Sequence, residues 1–147
     1  MSPFLMPCML VLLLMLSACE TEHETPARQR AQAFKSMLRE YEALGLVVRD
    51  VKPYEAIAFA QLATTYNTSA QTPFLHFTVP DLEQTGRSKP EVWTQAARFN
   101  QARDAYLAEV ATFAQLAQGG DFSTIKARYQ TIGQHCKSCH DVFRYPN

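Results

Sequence analysis

Residues 122–143 read FSTIKARYQTIGQHCKSCHDVF, with Asp121 before them and Arg144 after. Apolar side chains fall at Phe122, Ile125, Tyr129, Ile132, Cys136, Cys139 and Phe143, separated alternately by three and four residues. That near-heptad spacing places all seven on one stripe of a single helix and suits a bundle whose helices cross at shallow angles. Asp121 is a natural N-cap, because its carboxylate can accept from the unpaired N–H groups of the first turn.

Three more helical stretches are expected upstream. The first covers about residues 26–44 on the stripe Ala27, Phe34, Met37, Tyr41 and Leu44, with Gly45 as its stop. The second runs from near Pro53 to about Asn67, with Tyr54, Ala58, Leu62 and Thr65 on its inner side. The third starts near Thr94 as N-cap, follows Phe99, Ala102, Tyr106, Val110, Phe113 and Ala117, and ends at Gly119-Gly120. The sequence has neither sustained apolar–polar alternation nor an Asn-Gly or Asp-Gly hairpin turn. The connection over residues 69–93, with Pro73, Pro80, Pro90 and Gly86, is long for a compact domain, which implies that it packs against something. The expected fold is all-α: an antiparallel up-down-up-down four-helix bundle.

Composition narrows the function. A chain of 147 residues fits one domain, and 14 Lys+Arg against 14 Asp+Glu leave no basic footprint for nucleic acid. A hydrophobic fraction of 47 % excludes a disordered chain. Every charged residue lies at or beyond Glu20. Before it, residues 9–16 read MLVLLLML, far short of the about 20 apolar residues of a membrane span but of the length of a secretory leader. Leu16-Ser17-Ala18-Cys19 resembles the lipobox of bacterial lipoprotein signal peptides, which implies cleavage before Cys19 and lipidation of its thiol. The rival is a buried N-terminal helix with an incidental cysteine. On the lipoprotein reading, residues 1–18 are the signal peptide, 19–27 the lipidated Cys and a polar tether, and 28–147 the bundle.

Cys136-Lys137-Ser138-Cys139-His140 carries the chemistry. C-x-x-C-H is the attachment motif of c-type haem. On a helix the two thiols share one face, placed to add across two vinyl groups, and His140 lies one turn beyond Cys136, placed to ligate the iron. A structural zinc site needs four ligands, of which only these three are near. A thiol redox pair wants the N-terminus of a helix, not the end of the last one. A buried disulfide leaves His140 unexplained. One covalent haem c near the C-terminus is the expected cofactor.

With that motif in place, the chain resembles the cytochrome c′ family over about residues 26–144. Arg30, Phe34 and Met37 match its first-helix pattern, and Pro53-Tyr54 the opening of its second helix. Pro73-Phe74-Leu75-His76-Phe77 matches its proline–aromatic loop, Pro90-Glu91-Val92-Trp93 the approach to its third helix, and Cys136 through Arg144 its last-helix motif. The resemblance implies His140 as axial ligand and Phe34 as the apolar cover of the opposite face, leaving the iron five-coordinate. It further implies Arg144 as a guard of the His140 side, and a second stage in which NO displaces His140. Arg30 is expected to pair with a haem propionate, its rival role being a solvated helix charge. Met37 is expected to be core filler rather than a sixth ligand. His76 is a ligand candidate by type alone, as is His135.

The expected function is reversible binding of NO, and of CO, by a lipid-anchored cytochrome on the periplasmic side of a bacterial membrane. The alternative is a six-coordinate electron-transfer cytochrome using Met37 or, less favoured, His76. No acid–base pair or nucleophile points to an enzyme. The resemblance implies a homodimer through the first two helices, with which Leu38, off the main stripe, is compatible, and a redox partner protein is the other expected partner.

Overall fold

The computed structural model describes residues 25–78 and 86–146. The leader, Cys8 and Cys19 lie outside the described residues. The helices are α1 (Pro26–Val48), α2 (Ala56–Ser69), the short α3 (Glu91–Thr94), α4 (Ala96–Leu116) and α5 (Phe122–Phe143), with a 3-10 helix at Thr72–His76 after α2. No helix among the described residues is long and apolar enough to cross a membrane.

Paired rings read out the topology. Between α2 and α4, Phe59 meets Phe113 and Tyr66 meets Tyr106, so the two helices run in opposite directions. Phe113 against Tyr129 and Phe99 against Phe143 say the same of α4 and α5. On α1, Tyr41 lies by Tyr66, Phe34 by Phe74, and Arg30 by His76, which sets α1 antiparallel to α2 and its 3-10 extension. Tyr41 stacked on Tyr129 closes the ring of four. The up-down-up-down bundle of the sequence is the architecture found.

Asp121 caps α5 as its position promises, accepting from the Thr124 N–H at 2.9 Å, and the helix covers the quoted stretch from end to end. Four of its seven stripe residues, Ile125, Tyr129, Ile132 and Phe143, are buried. Thr25 caps α1 with its side chain, and Pro26 takes the first helical position, where no N–H is needed. Residues 25–27, expected in the tether, therefore open the first helix, and Ala27 is buried.

Gly45 does not stop α1. The helix runs on to Val48, because Gly45 is where the Tyr129 hydroxyl approaches; a Cβ there would overlap it. In α2 the inner face is Phe59, Ala63 and Tyr66, while Ala58 and Thr65 are exposed. The expected register is thus off by one residue, since Phe59 and Tyr66 bring far more apolar area to the core than Ala58 and Thr65 do. Thr94 is not the cap of the third long helix. It ends α3, with its hydroxyl donating to the Pro90 carbonyl, and Gln95 separates α3 from α4.

The long connection does pack. Its first part is the 3-10 helix against α1. Its last part lies along the end of α5: Lys89 N–H donates to the Phe143 carbonyl and Tyr145 N–H to the Arg87 carbonyl, each at 2.9 Å, around a bridge between Ser88 and Arg144.

Candidate haem site

One end of the bundle collects the start of α1, the 3-10 helix, α3 with the start of α4, and the last turns of α5. Every site residue expected in the bundle comes from this end. Phe34 and Cys136, both half-buried, pack on the main core, which also holds Met37, Tyr66, Tyr106 and Ile132. Cys139 packs instead on a second cluster of Val92, Phe99 and Phe143, together with Phe77 and Trp93. Phe74 touches both clusters and joins them.

Phe34 is held edge-on by two rings of the proline–aromatic segment, with centroids 5.8 Å from Phe74 and 6.3 Å from Phe77. One turn further on, Met37 is buried, and its Sδ accepts from the Tyr106 hydroxyl at 3.1 Å. The Tyr106 and Tyr66 hydroxyls lie 2.9 Å apart. A thioether only accepts, so Tyr106 spends its one proton on Met37, and Tyr66 is the donor to Tyr106. Met37 is thus core, tied down by a chain of two hydroxyls.

Arg30 is not a solvated charge. It is 4 % exposed, donates from Nη1 to the His76 carbonyl at 2.9 Å, and lays its guanidinium 4.6 Å from the centre of the Phe77 ring. His76 therefore contributes its backbone to the site, while its side chain is half-buried beside the exposed Leu75.

Cys136 and Cys139 are free thiols. Burial pushes the Cys136 thiol up to about 11, helped by the neighbouring Cys139, and burial raises Cys139 as well. Both are thus protonated at neutral pH, the opposite of an activated redox thiol. His140 is exposed, but the protein crowding its ring is the largest cause that lowers its pKa. The positive charges of Arg144 and Arg87 add to that, against Asp141. The imidazole is therefore neutral at neutral pH and able to ligate. Arg144 caps α5, its N–H donating to the His140 carbonyl at 3.1 Å, and its half-buried side chain adds a charge felt at His140.

This donor set suits a covalent haem. Among the described residues no three His, Cys, Asp or Glu side chains converge as a metal-ion site, so Cys136, Cys139 and His140 do not assemble a zinc cage. Two protonated thiols three residues apart, half-buried among aromatic and aliphatic side chains, match the vinyl edge of a porphyrin. One buried donor, Trp93 Nε1, has no acceptor among the described residues. Sequence reasoning had Trp93 only as part of a motif; the state of its N–H shows only once the ring is seen to be buried. The hold of Tyr106 on Met37 was also missed, since no local signal links residues 69 positions apart.

Comparison with known proteins agrees with this geometry. The family model described as Cytochrome C′ matches residues 25–144. The chain is 28 % identical over 121 residues to cytochrome c′ of Alcaligenes xylosoxydans xylosoxydans, covering 82 % of this chain and 94 % of that one. It is 30 % identical over 119 residues to cytochrome c-556 of Rhodopseudomonas palustris, covering 72 % and 73 %. Among solved structures, a nitrosyl complex of a variant of cytochrome c prime from Alcaligenes xylosoxidans superposes with a TM-score of 0.77 at 25 % identity, over 82 % of this chain and 94 % of the other. On fold, site and sequence together, the chain belongs to the cytochrome c′ family of c-type cytochromes.

Proposed function

We propose that this cytochrome binds NO, and CO, at a five-coordinate haem, and scavenges or carries NO. Cys136 and Cys139 would hold the haem by thioether bonds, and His140 would ligate its iron. When bound, the haem supplies an iron with one open coordination position for a diatomic gas. The chain does the rest. Phe34 lines the open side with a ring that offers no ligand atom and excludes water, Arg30 offsets a propionate, and Arg144 places positive charge beside His140. An apolar pocket without a hydrogen-bond donor favours NO and CO over O2, which gains more from a donor.

The observation that carries this reading is Met37. Its sulfur, the one soft donor near Phe34 on α1, is engaged by Tyr106 within the core, which leaves Phe34 as the α1 residue for the open side. The nitrosyl complex of the Alcaligenes relative supports NO as the ligand class. The visible spectrum of the purified protein is the test. A high-spin five-coordinate spectrum that changes with CO and NO upholds the reading. A low-spin spectrum indifferent to both overturns it in favour of electron transfer.

The leader supports export to the periplasmic side and lipidation at Cys19, checked by intact mass of the membrane fraction and by loss of membrane association in Cys19→Ser. A homodimer through the first two helices, as the family resemblance implies and with which the exposed Leu38 on α1 is compatible, is checked by sedimentation of Leu38→Glu. The protein acts as a binder without turnover, and a redox partner protein sets its oxidation state.

A further inference from the structure

Trp93 sits where the chain has been fixed before its side chain is considered. Lys89 N–H is bound to the Phe143 carbonyl, and the N–H groups of Val92 and Trp93 return to the carbonyls of Lys89 and Pro90. This ties α3 onto the last turn of α5. Val92 is buried against Phe99 and Phe143, and the Trp93 ring packs on the same cluster as Cys139 and Val142. The indole nitrogen is buried within that packing, with no acceptor among the described residues.

An indole N–H can only donate. Leaving such a group buried and unpaired is costly, and native structures seldom do so without a ligand, ion or water to receive it. Trp93 and Cys139 pack on one cluster, which puts the indole near whatever group Cys139 holds. The group that Cys139 is positioned to hold carries two carboxylates as its only charged acceptors. Arg30, the one buried cation among the described residues, belongs to the same neighbourhood: it lies over Phe77, whose ring is 4.8 Å from that of Phe99 in the Trp93 cluster.

We propose that Trp93 is a haem-binding residue whose indole N–H donates to a haem propionate. This rests on the covalent-haem reading above. On this assignment the propionates are met by two unlike donors, a buried guanidinium from α1 and a buried indole from α3. Trp93 also connects the long loop to the cofactor, so the clasp of that loop on α5 positions a ligand-binding group.

The test uses the holoprotein and its single tryptophan. In ultraviolet resonance Raman the indole N–H of the wild type is expected to read as hydrogen-bonded, and this signal should change when the propionates are protonated at acid pH. In Trp93→Phe, which keeps an aromatic ring in the cluster, the propionate bending bands in visible resonance Raman should shift. The acid-side inflection of the midpoint potential should rise by about one pH unit, since a donor to a carboxylate has been removed. Bands and inflection left unchanged in Trp93→Phe overturn the proposal and assign the acceptor to a water or a backbone carbonyl. Should the variant not fold, an indole signal in the wild type that ignores propionate protonation overturns it equally. Purified protein without covalent haem instead sinks the underlying reading, before Trp93 is tested at all.

Discussion

Tyr41 of α1 and Tyr129 of α5 lie face to face, with ring centroids 4.3 Å apart and planes 6° from parallel, and each hydroxyl donates to the other's backbone carbonyl at 3.3 Å. Each ring reaches across to a glycine on the opposite helix. The Tyr129 hydroxyl sits over Gly45, and the Tyr41 hydroxyl lies 2.9 Å from where a Cβ of Gly133 would be. Two tyrosines and two glycines thus set the spacing of α1 and α5, one turn from Cys136.

Gly45→Ala should therefore destabilise the protein by about 1–3 kcal/mol, despite the better helix propensity of alanine. In a Tyr129→Phe background the same change should cost little, because the remaining close neighbour is the flexible end of Arg49. Urea melts of the four proteins check this; additive effects would show that the hydroxyl is not what Gly45 accommodates.

The order of donors in the buried hydroxyl chain predicts an asymmetry. Tyr66→Phe removes one bond and should cost about 0.5–1.5 kcal/mol. Tyr106→Phe removes the donor to Met37 and also leaves the Tyr66 hydroxyl buried without its acceptor, adding about 1–3 kcal/mol. Equal losses in chemical melts would reverse the assigned direction.

Arg30→Lys should be poorly tolerated for a buried cation. An ammonium cannot both lie over the Phe77 ring and reach the His76 carbonyl as the wider guanidinium does. A loss of about 1 kcal/mol or more is expected in thermal unfolding of the holoprotein, and an unchanged midpoint would reduce the contact to proximity.

On the proposed function, Phe34→Ala would open the side of the haem that the gas enters. It should speed CO association to the ferrous protein about tenfold, equivalent to about 1.4 kcal/mol of barrier, as measured by flash photolysis. It should also cost stability, since both edge-on contacts of the ring vanish.

Asp121 makes the fold acid-sensitive in a defined direction. Hydrogen bonds from Ser123 and from Thr124 hold its carboxyl below the ordinary range. The unfolded chain therefore takes up the proton first. The stabilisation is complete above the ordinary carboxylate range and is lost as pH falls through the lower folded value. Asp121→Asn keeps a capping oxygen but cannot titrate. Thermal midpoints of the wild type and this variant should keep a constant gap at neutral pH that narrows below about pH 4.

The sequence was most legible where cap, stripe and motif coincide. Residues 121–143 supply all three, and α5 follows them from the Asp121 cap to Phe143. Legibility failed in α2, where alanines and threonines on every face give little contrast and only tertiary packing chooses Phe59 and Tyr66 for the core. Gly45 reads as a terminator because a glycine's need for space and its tendency to end helices look alike until its neighbour across the bundle is known. The burial of Arg30 depends on a carbonyl 46 residues away, presented by a 3-10 helix that no periodicity announces. The haem motif itself was plain; the groups around it, Trp93 and Tyr106, needed the fold.

The pairing of Arg87 and Lys89 with the end of α5 also bears on how the protein can be handled. On the proposed reading, in which the amino terminus serves export and lipidation, a purification tag belongs at the other end. Among the described residues the last one paired there is Tyr145, half-exposed but bound through its N–H and its carbonyl to Arg87. A tag appended after Asn147 leaves that edge intact, whereas trimming the chain back to Phe143 would unzip the loop from the helix that carries the C-x-x-C-H motif.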